Sequence, residues 1–139
     1  MDGTKPRKIV SALNHPSGIT IDFQDSRLYW TTAYSNRVQS SDMDGNDVET
    51  IVQLPKGSRP RGIGYLGGRI YWTCSETQKI QRSTESGDSL RVLHTDTDIL
   101  YHMVIAPRPD LPRNRTNHCK NRSCTEVCVL TPTSSRCLS

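Results

Sequence analysis

Large side chains are scarce in this chain. Its 139 residues include one phenylalanine, two tryptophans and five tyrosines; hydrophobic residues make up 33% and mean hydropathy is -0.62. Such a composition leaves material for only a thin core. No apolar run reaches the ~20 residues of a membrane helix, so no membrane span is expected within this stretch. Met1-Asp2-Gly3-Thr4-Lys5-Pro6 lacks the apolar centre of a secretory signal. The net charge of +4 is mild, and no Lys/Arg stripe is interleaved with aromatics; nucleic acid is therefore not an expected partner. Catalytic signatures are missing too. There is no Gly-x-Ser-x-Gly elbow, His-Glu-x-x-His pair or phosphate-cradling loop, and the glycines of 61–67 read as part of a strand. The chain is read as a non-enzyme with no cofactor.

What is present is a repeat. Leu28-Tyr29-Trp30-Thr31-Thr32 returns 42 residues later as Ile70-Tyr71-Trp72-Thr73-Cys74. Both copies alternate aromatic or β-branched residues with others, as a buried strand does. Met1-Asp2-Gly3 matches Met43-Asp44-Gly45, Gly87 follows at the same interval, and Ile9-Val10 stays in phase with Ile51-Val52 and Leu93-His94. The phrase beginning at Met1 implies that the chain opens inside a repeat. A period near 42 built from short strands predicts propeller blades, since radially stacked small sheets bury one another's faces.

Two four-stranded meanders follow from the turn signals. The first takes Ile19, Ile21 and Phe23, then 28–32, 37–41 and 48–52, with Asp44-Gly45 as a tight hairpin turn. The second takes 63–65, 69–74, 79–83 and 90–93. Residues 7–10 read as the last strand of a preceding unit, and 100–105 as a lone strand serving the inner position of another blade. Aromatic residues in such strands are core rather than a binding surface. Pro107, Pro109 and Pro112 end the pattern.

Cysteine is unevenly placed: Cys74 alone, then Cys119, Cys124, Cys128 and Cys137 within 19 residues. The dense cluster favours disulfides in an oxidising compartment over zinc, for which paired C-x2-C knuckles are lacking. Asn114-Arg115-Thr116 and Asn121-Arg122-Ser123 are glycosylation sequons at Asn114 and Asn121.

Together, His15-Pro16-Ser17-Gly18-Ile19-Thr20-Ile21-Asp22, Leu28-Tyr29-Trp30-Thr31, Asp42-Met43-Asp44-Gly45 and Arg59-Pro60-Arg61-Gly62-Ile63 leading to Ile70-Tyr71-Trp72-Thr73 resemble the YWTD propeller of the low-density lipoprotein receptor family. Residues 117–139 resemble the EGF-like module that follows such propellers. The resemblance implies an all-β chain: a partial propeller over 1–106, about two complete four-stranded blades plus parts of two others, a proline-rich linker over 107–116, and a truncated EGF-like module over 117–139. It implies the pairing Cys119–Cys128 and Cys124–Cys137. It also implies an extracellular segment of a single-pass endocytic or signalling receptor. Its partners would be protein ligands of lipoprotein-like or Wnt-type kind and the remaining blades of a parent chain. A nidogen-like matrix protein is the alternative.

The chain departs from the family pattern in three places. The motif's usual Asp is Thr32 in one copy and Cys74 in the other; a hydroxyl replaces one acceptor, a thiol only weakly. Ser139 stands where a fifth EGF cysteine is expected. Cys74 is left over, either buried as a small hydrophobe or paired outside this stretch, with burial expected. His15 and His102 are candidates for the family's acid-driven ligand release. Arg115-Thr116-Asn117-His118 lacks the acidic cluster of a calcium-binding EGF module, and no metal ligand is assigned. Arg59, Arg61 and Arg69 are candidates to meet an acidic partner loop.

Overall fold

The computed structural model describes residues 5–95 and 103–105, together with the backbone of 127–130 and 135–138. The described residues contain strands and turns, and no helix. Strands β1 (Pro16–Asp22), β2 (Arg27–Thr32), β3 (Arg37–Asp42) and β4 (Glu49–Gln53) form one antiparallel meander. Strands β5 (Pro60–Leu66), β6 (Arg69–Cys74), β7 (Lys79–Thr84) and β8 (Arg91–Thr95) form a second. These are two complete blades, as the repeat predicts.

The motif strands lie second in each sheet and hold equivalent places. Trp30 pairs with Ile19 and Gln39, Trp72 with Ile63 and Gln81. Because side chains alternate along a strand, the tyrosine and tryptophan of each motif face opposite ways. Tyr29 and Trp72 meet in one core between the sheets, with Val38, Val52, Leu54, Ile63, Ile70 and Cys74. Tyr71 faces a second core with Ile80 and Met103, on the far side of the second blade. Trp30 faces the outer side of the first blade, where residues 7–13 lie.

Several boundaries differ from the sequence reading. The first hairpin turn has four residues (23–26) and its counterpart two, Gly67 and Gly68. The interval between the blades is therefore 44 before these turns and 42 after them. Phe23 belongs to that turn, not to β1, and is 82% exposed. Ile19 is exposed as well, whereas Asp22 is buried. Alternation separates two faces but does not say which one is covered.

Gly45 does not sit in a two-residue hairpin. It has φ 85° within the six-residue connection 43–48, where Asp42 accepts hydrogen bonds from the Asp44 and Asn46 amides at 2.9 and 2.8 Å. Those donors, chiefly Asn46, hold the Asp42 carboxyl below its ordinary range. Gly45 is needed for closeness: a Cβ there would overlap the Ile9 carbonyl. Gly87, also at φ 85°, stands in the same relation to the Ile51 carbonyl. The 42-residue rhythm is thus a blade-to-blade contact made twice.

Residues 7–10, expected as a strand, form none, because no described strand lies beside them to supply a ladder. They keep their place through Ile9 against Gly45 and a 2.6 Å ion pair from Arg7 to Asp44. Likewise 103–105, the described end of the expected strand 100–105, is not in a sheet. Met103 and Ile105 nonetheless pack on the second blade, Ile105 against Gly64.

A separate backbone hairpin joins β9 (Val127–Leu130) and β10 (Ser135–Leu138), with Cys128 opposite Cys137 in register. The linker 107–116, Cys119, Cys124, Asn114, Asn121 and His102 lie outside the described residues, as do the side chains of Cys128 and Cys137.

Candidate binding surface and the repeat motif

The motif residues are placed for packing and for joining blades. Tyr29, Trp30, Thr31, Thr32, Tyr71, Trp72, Thr73 and Cys74 are all buried. The Thr31 hydroxyl donates to the Arg61 carbonyl of the next blade at 2.6 Å and accepts from the Gly18 amide at 3.0 Å. Thr73 accepts from the Gly62 amide at 3.0 Å. A threonine suits both places, because one hydroxyl both donates and accepts. Tyr29 stacks on Tyr65 across the interface, with ring centroids 5.6 Å apart.

The fourth motif position resolves differently in each copy. Thr32 accepts a 2.6 Å hydrogen bond from the Ser35 hydroxyl. The Cys74 thiol acts as donor, to Gln81 Oε1 at 3.3 Å, and is free and fully buried. Burial pushes its pKa up to about 11.

The exposed chemistry gathers at the blade ends. At one end the start of β1, the 33–36 turn and the start of β5 bring together His15, Tyr34 and Arg59. The His15 and Tyr34 rings are 3.8 Å apart, and the Arg59 guanidinium lies 5.5 Å from the centre of the Tyr34 ring. Arg59 also pairs with Glu76 at 3.1 Å. Asn36 fixes this corner: its Oδ1 accepts the Arg59 amide at 2.9 Å while its own Nδ2 donates to the Tyr34 carbonyl. Tyr34 is half exposed on a prepared surface.

Of the arginines singled out in the sequence, only Arg59 belongs to this corner. Arg69 lies at the opposite end of the blade, beside Leu66, where it lines a groove with Arg82 and Arg91; Arg61 contributes its carbonyl to the blade joint. The three do not form one patch. Tyr34 and Glu76 escaped sequence reasoning, although an aromatic in the turn right after a Trp-Thr-Thr strand was a usable signal.

Two sequence-repeated meanders packed face to face define a segment of a β-propeller of the YWTD type. No family profile matches the chain. The vitellogenin receptor Yl of Drosophila melanogaster is 30% identical over 136 residues, covering 94% of this chain and 6% of that receptor. Low-density lipoprotein receptor-related protein 5 of Homo sapiens is 38% identical over 52 residues, 37% of this chain and 3% of that protein. Among solved structures, the nidogen/laminin complex matches with TM-score 0.67 and 26% identity, over 73% of this chain and 41% of the matched one. A virginiamycin B lyase from Staphylococcus aureus, at TM-score 0.61 and 23% identity over 74% of this chain and 36% of its own, shares the fold alone. These relatives and the nidogen propeller support a YWTD β-propeller of the low-density lipoprotein receptor family. The chain is a segment of a YWTD-type β-propeller, and it spans only 3–6% of the length of the curated relatives it matches. Among the described residues no helix is long and apolar enough to cross a membrane.

Proposed function

We propose that this chain is the C-terminal part of a ligand-binding propeller in a single-pass receptor that takes up lipoprotein-like proteins or engages Wnt-type signals. The observation that carries the reading is the exposed His15–Tyr34–Arg59 corner. Tyrosine and arginine are the residue types that dominate protein-binding hot spots, and here they are already stacked before a partner arrives. The names of two relatives, a vitellogenin receptor and a lipoprotein receptor-related protein, support a lipoprotein-like ligand. In the parent chain, residues 117–139 form the truncated EGF-like module, with Cys119–Cys128 and Cys124–Cys137 bridged and Asn114 and Asn121 glycosylated. The β9–β10 hairpin supports such a module.

The groove of about 490 Å³ lined by Leu13, Ile19, Leu28 and Trp30 takes a further blade of the parent chain. The support is internal: Ile9 meets Gly45 as Ile51 of the first blade meets Gly87 of the second.

His15, whose ring lies 3.8 Å from that of Tyr34, is the residue of this corner to which we assign ligand release at endosomal pH. The test is surface plasmon resonance with yolk lipoprotein on the receptor that carries this segment. Tyr34→Ala is expected to weaken binding at least tenfold, and His15→Gln to remove its loss between pH 7 and 5.5. Unchanged affinity in Tyr34→Ala would discard this corner as the binding surface.

A matrix role is the second reading, favoured by the nidogen propeller among the solved structures. A membrane span encoded downstream in the full transcript would exclude it; adhesive modules in that place would favour it.

A further inference from the structure

The end of the blades opposite the His15 corner carries a different chemistry. Asp22 closes β1, Asp25 lies in the turn after it, and Glu85 lies in the turn after β7 of the next blade. One carboxylate oxygen from each lies within 4.8 Å of the other two. Asp25 is exposed and Glu85 half-buried, but Asp22 is 2% exposed. Its Oδ1 accepts the Gln24 amide at 2.9 Å, and its Oδ2 is buried without a hydrogen-bond donor.

Tyr65 cannot resolve this. Its hydroxyl has one proton, which it donates to Glu85. Burial, and then the Glu85 and Asp22 carboxylates facing that hydroxyl, hold the phenol protonated far above its ordinary range. Arg27, the cation that adjoins this region through Tyr29, directs its guanidinium to Ser40 at 2.8 Å and towards Glu49 at 3.9 Å. A buried carboxylate oxygen with no hydrogen-bond donor, set beside two more carboxylates, gains from a cation placed among them.

We propose that Asp22, Asp25 and Glu85 bind a calcium ion that ties the first blade to the second. Three oxygens within 4.8 Å of one another surround a point no more than about 2.8 Å from each, which accommodates the 2.3–2.6 Å of calcium–oxygen bonds. Zinc prefers nitrogen and sulfur ligands, which are not offered here. Water completes the shell on the exposed side, at Asp25. The proposal is independent of which ligand or receptor class the propeller serves.

The experiment is a calcium titration of the purified 139-residue chain, read by thermal melting against EDTA and by tyrosine-sensitised terbium luminescence. Calcium at about ten times its Kd is expected to raise the melting midpoint by about 5 °C. Asp25→Asn, in an exposed turn, is expected to weaken calcium and terbium binding at least tenfold. In EDTA it should melt no lower than the parent chain, since it relieves repulsion. Glu85→Gln should weaken binding likewise from the other blade. No calcium response up to 10 mM would overturn the proposal. Binding unchanged in both variants would also overturn it, because the ion would then be held elsewhere in the chain.

Discussion

The two blades are built from nearly the same sequence, yet they are not equally buried. The second lies between the first blade and residues 103–105, with a core on each side. The first has the shared core on one face and, among the described residues, only residues 7–13 on the other, beside an open groove. Ile63 of the second blade is 7% exposed, while Ile19, its counterpart opposite the tryptophan, is 67% exposed. Position in the array, more than residue identity, decides how much each side chain contributes.

The sharpest break of this comparison is a pair of truncations. Trp72→Ala removes a side chain from a closed core and should cost about 4 kcal/mol. Trp30→Ala, at the equivalent place facing the groove, should cost about 2 kcal/mol by the same measure, because neighbours on an open side collapse more easily. Urea denaturation of both variants checks the difference; equal losses would mean the outer face is as well packed as the inner one.

The glycine seams come next. Alanine at Gly87 is strained at positive φ and collides with Ile51 in the hydrogen-bonded β4, an expected loss of about 3 kcal/mol. Alanine at Gly45 meets Ile9 in a segment outside any sheet, which can retreat, so about 1.5 kcal/mol is expected. Thermal melting in parallel would rank them.

Smaller again is the threonine pair. Thr31→Val strands both the Gly18 amide and the Arg61 carbonyl and should cost about 2 kcal/mol, against about 1 kcal/mol for Thr73→Val. Equal values would deny the first threonine its role as a bridge between blades.

At neutral pH the last contrast is silent. The Cys74 thiol titrates at about 11 in the folded chain against a reference of 9.0. A folded pKa raised above the unfolded one gives stability that is complete below pH 9 and is lost as pH rises through 11. Cys74→Thr, which installs the residue the first blade uses, should flatten the stability profile between those values. Native Cys74 should also resist a thiol reagent until the chain unfolds.

Much of the fold was readable from the tryptophan strands. A Tyr-Trp-Thr phrase repeated at a fixed interval specifies a central strand by its residue types, and both copies lie second in their sheets. What could not be read was orientation. Ile19, Ile21 and Phe23 alternate with Thr20 and Asp22, yet Asp22 is the buried residue, since the cover over a strand comes from a partner far away in sequence. The acidic cluster was illegible for the same reason: Asp25 and Glu85 meet only when blades stack. His15 stood out by type, but its neighbours Tyr34 and Arg59 come from a turn and a strand start whose convergence no local pattern announces.

Ile51 and Gly45 belong to the same repeat, one presenting its carbonyl to the unit ahead and the other receiving a carbonyl from the unit behind. Such a module carries both halves of its own joint. Copying it in tandem extends the array without inventing a new surface, so a gene that gains or loses one copy keeps every remaining seam chemically matched.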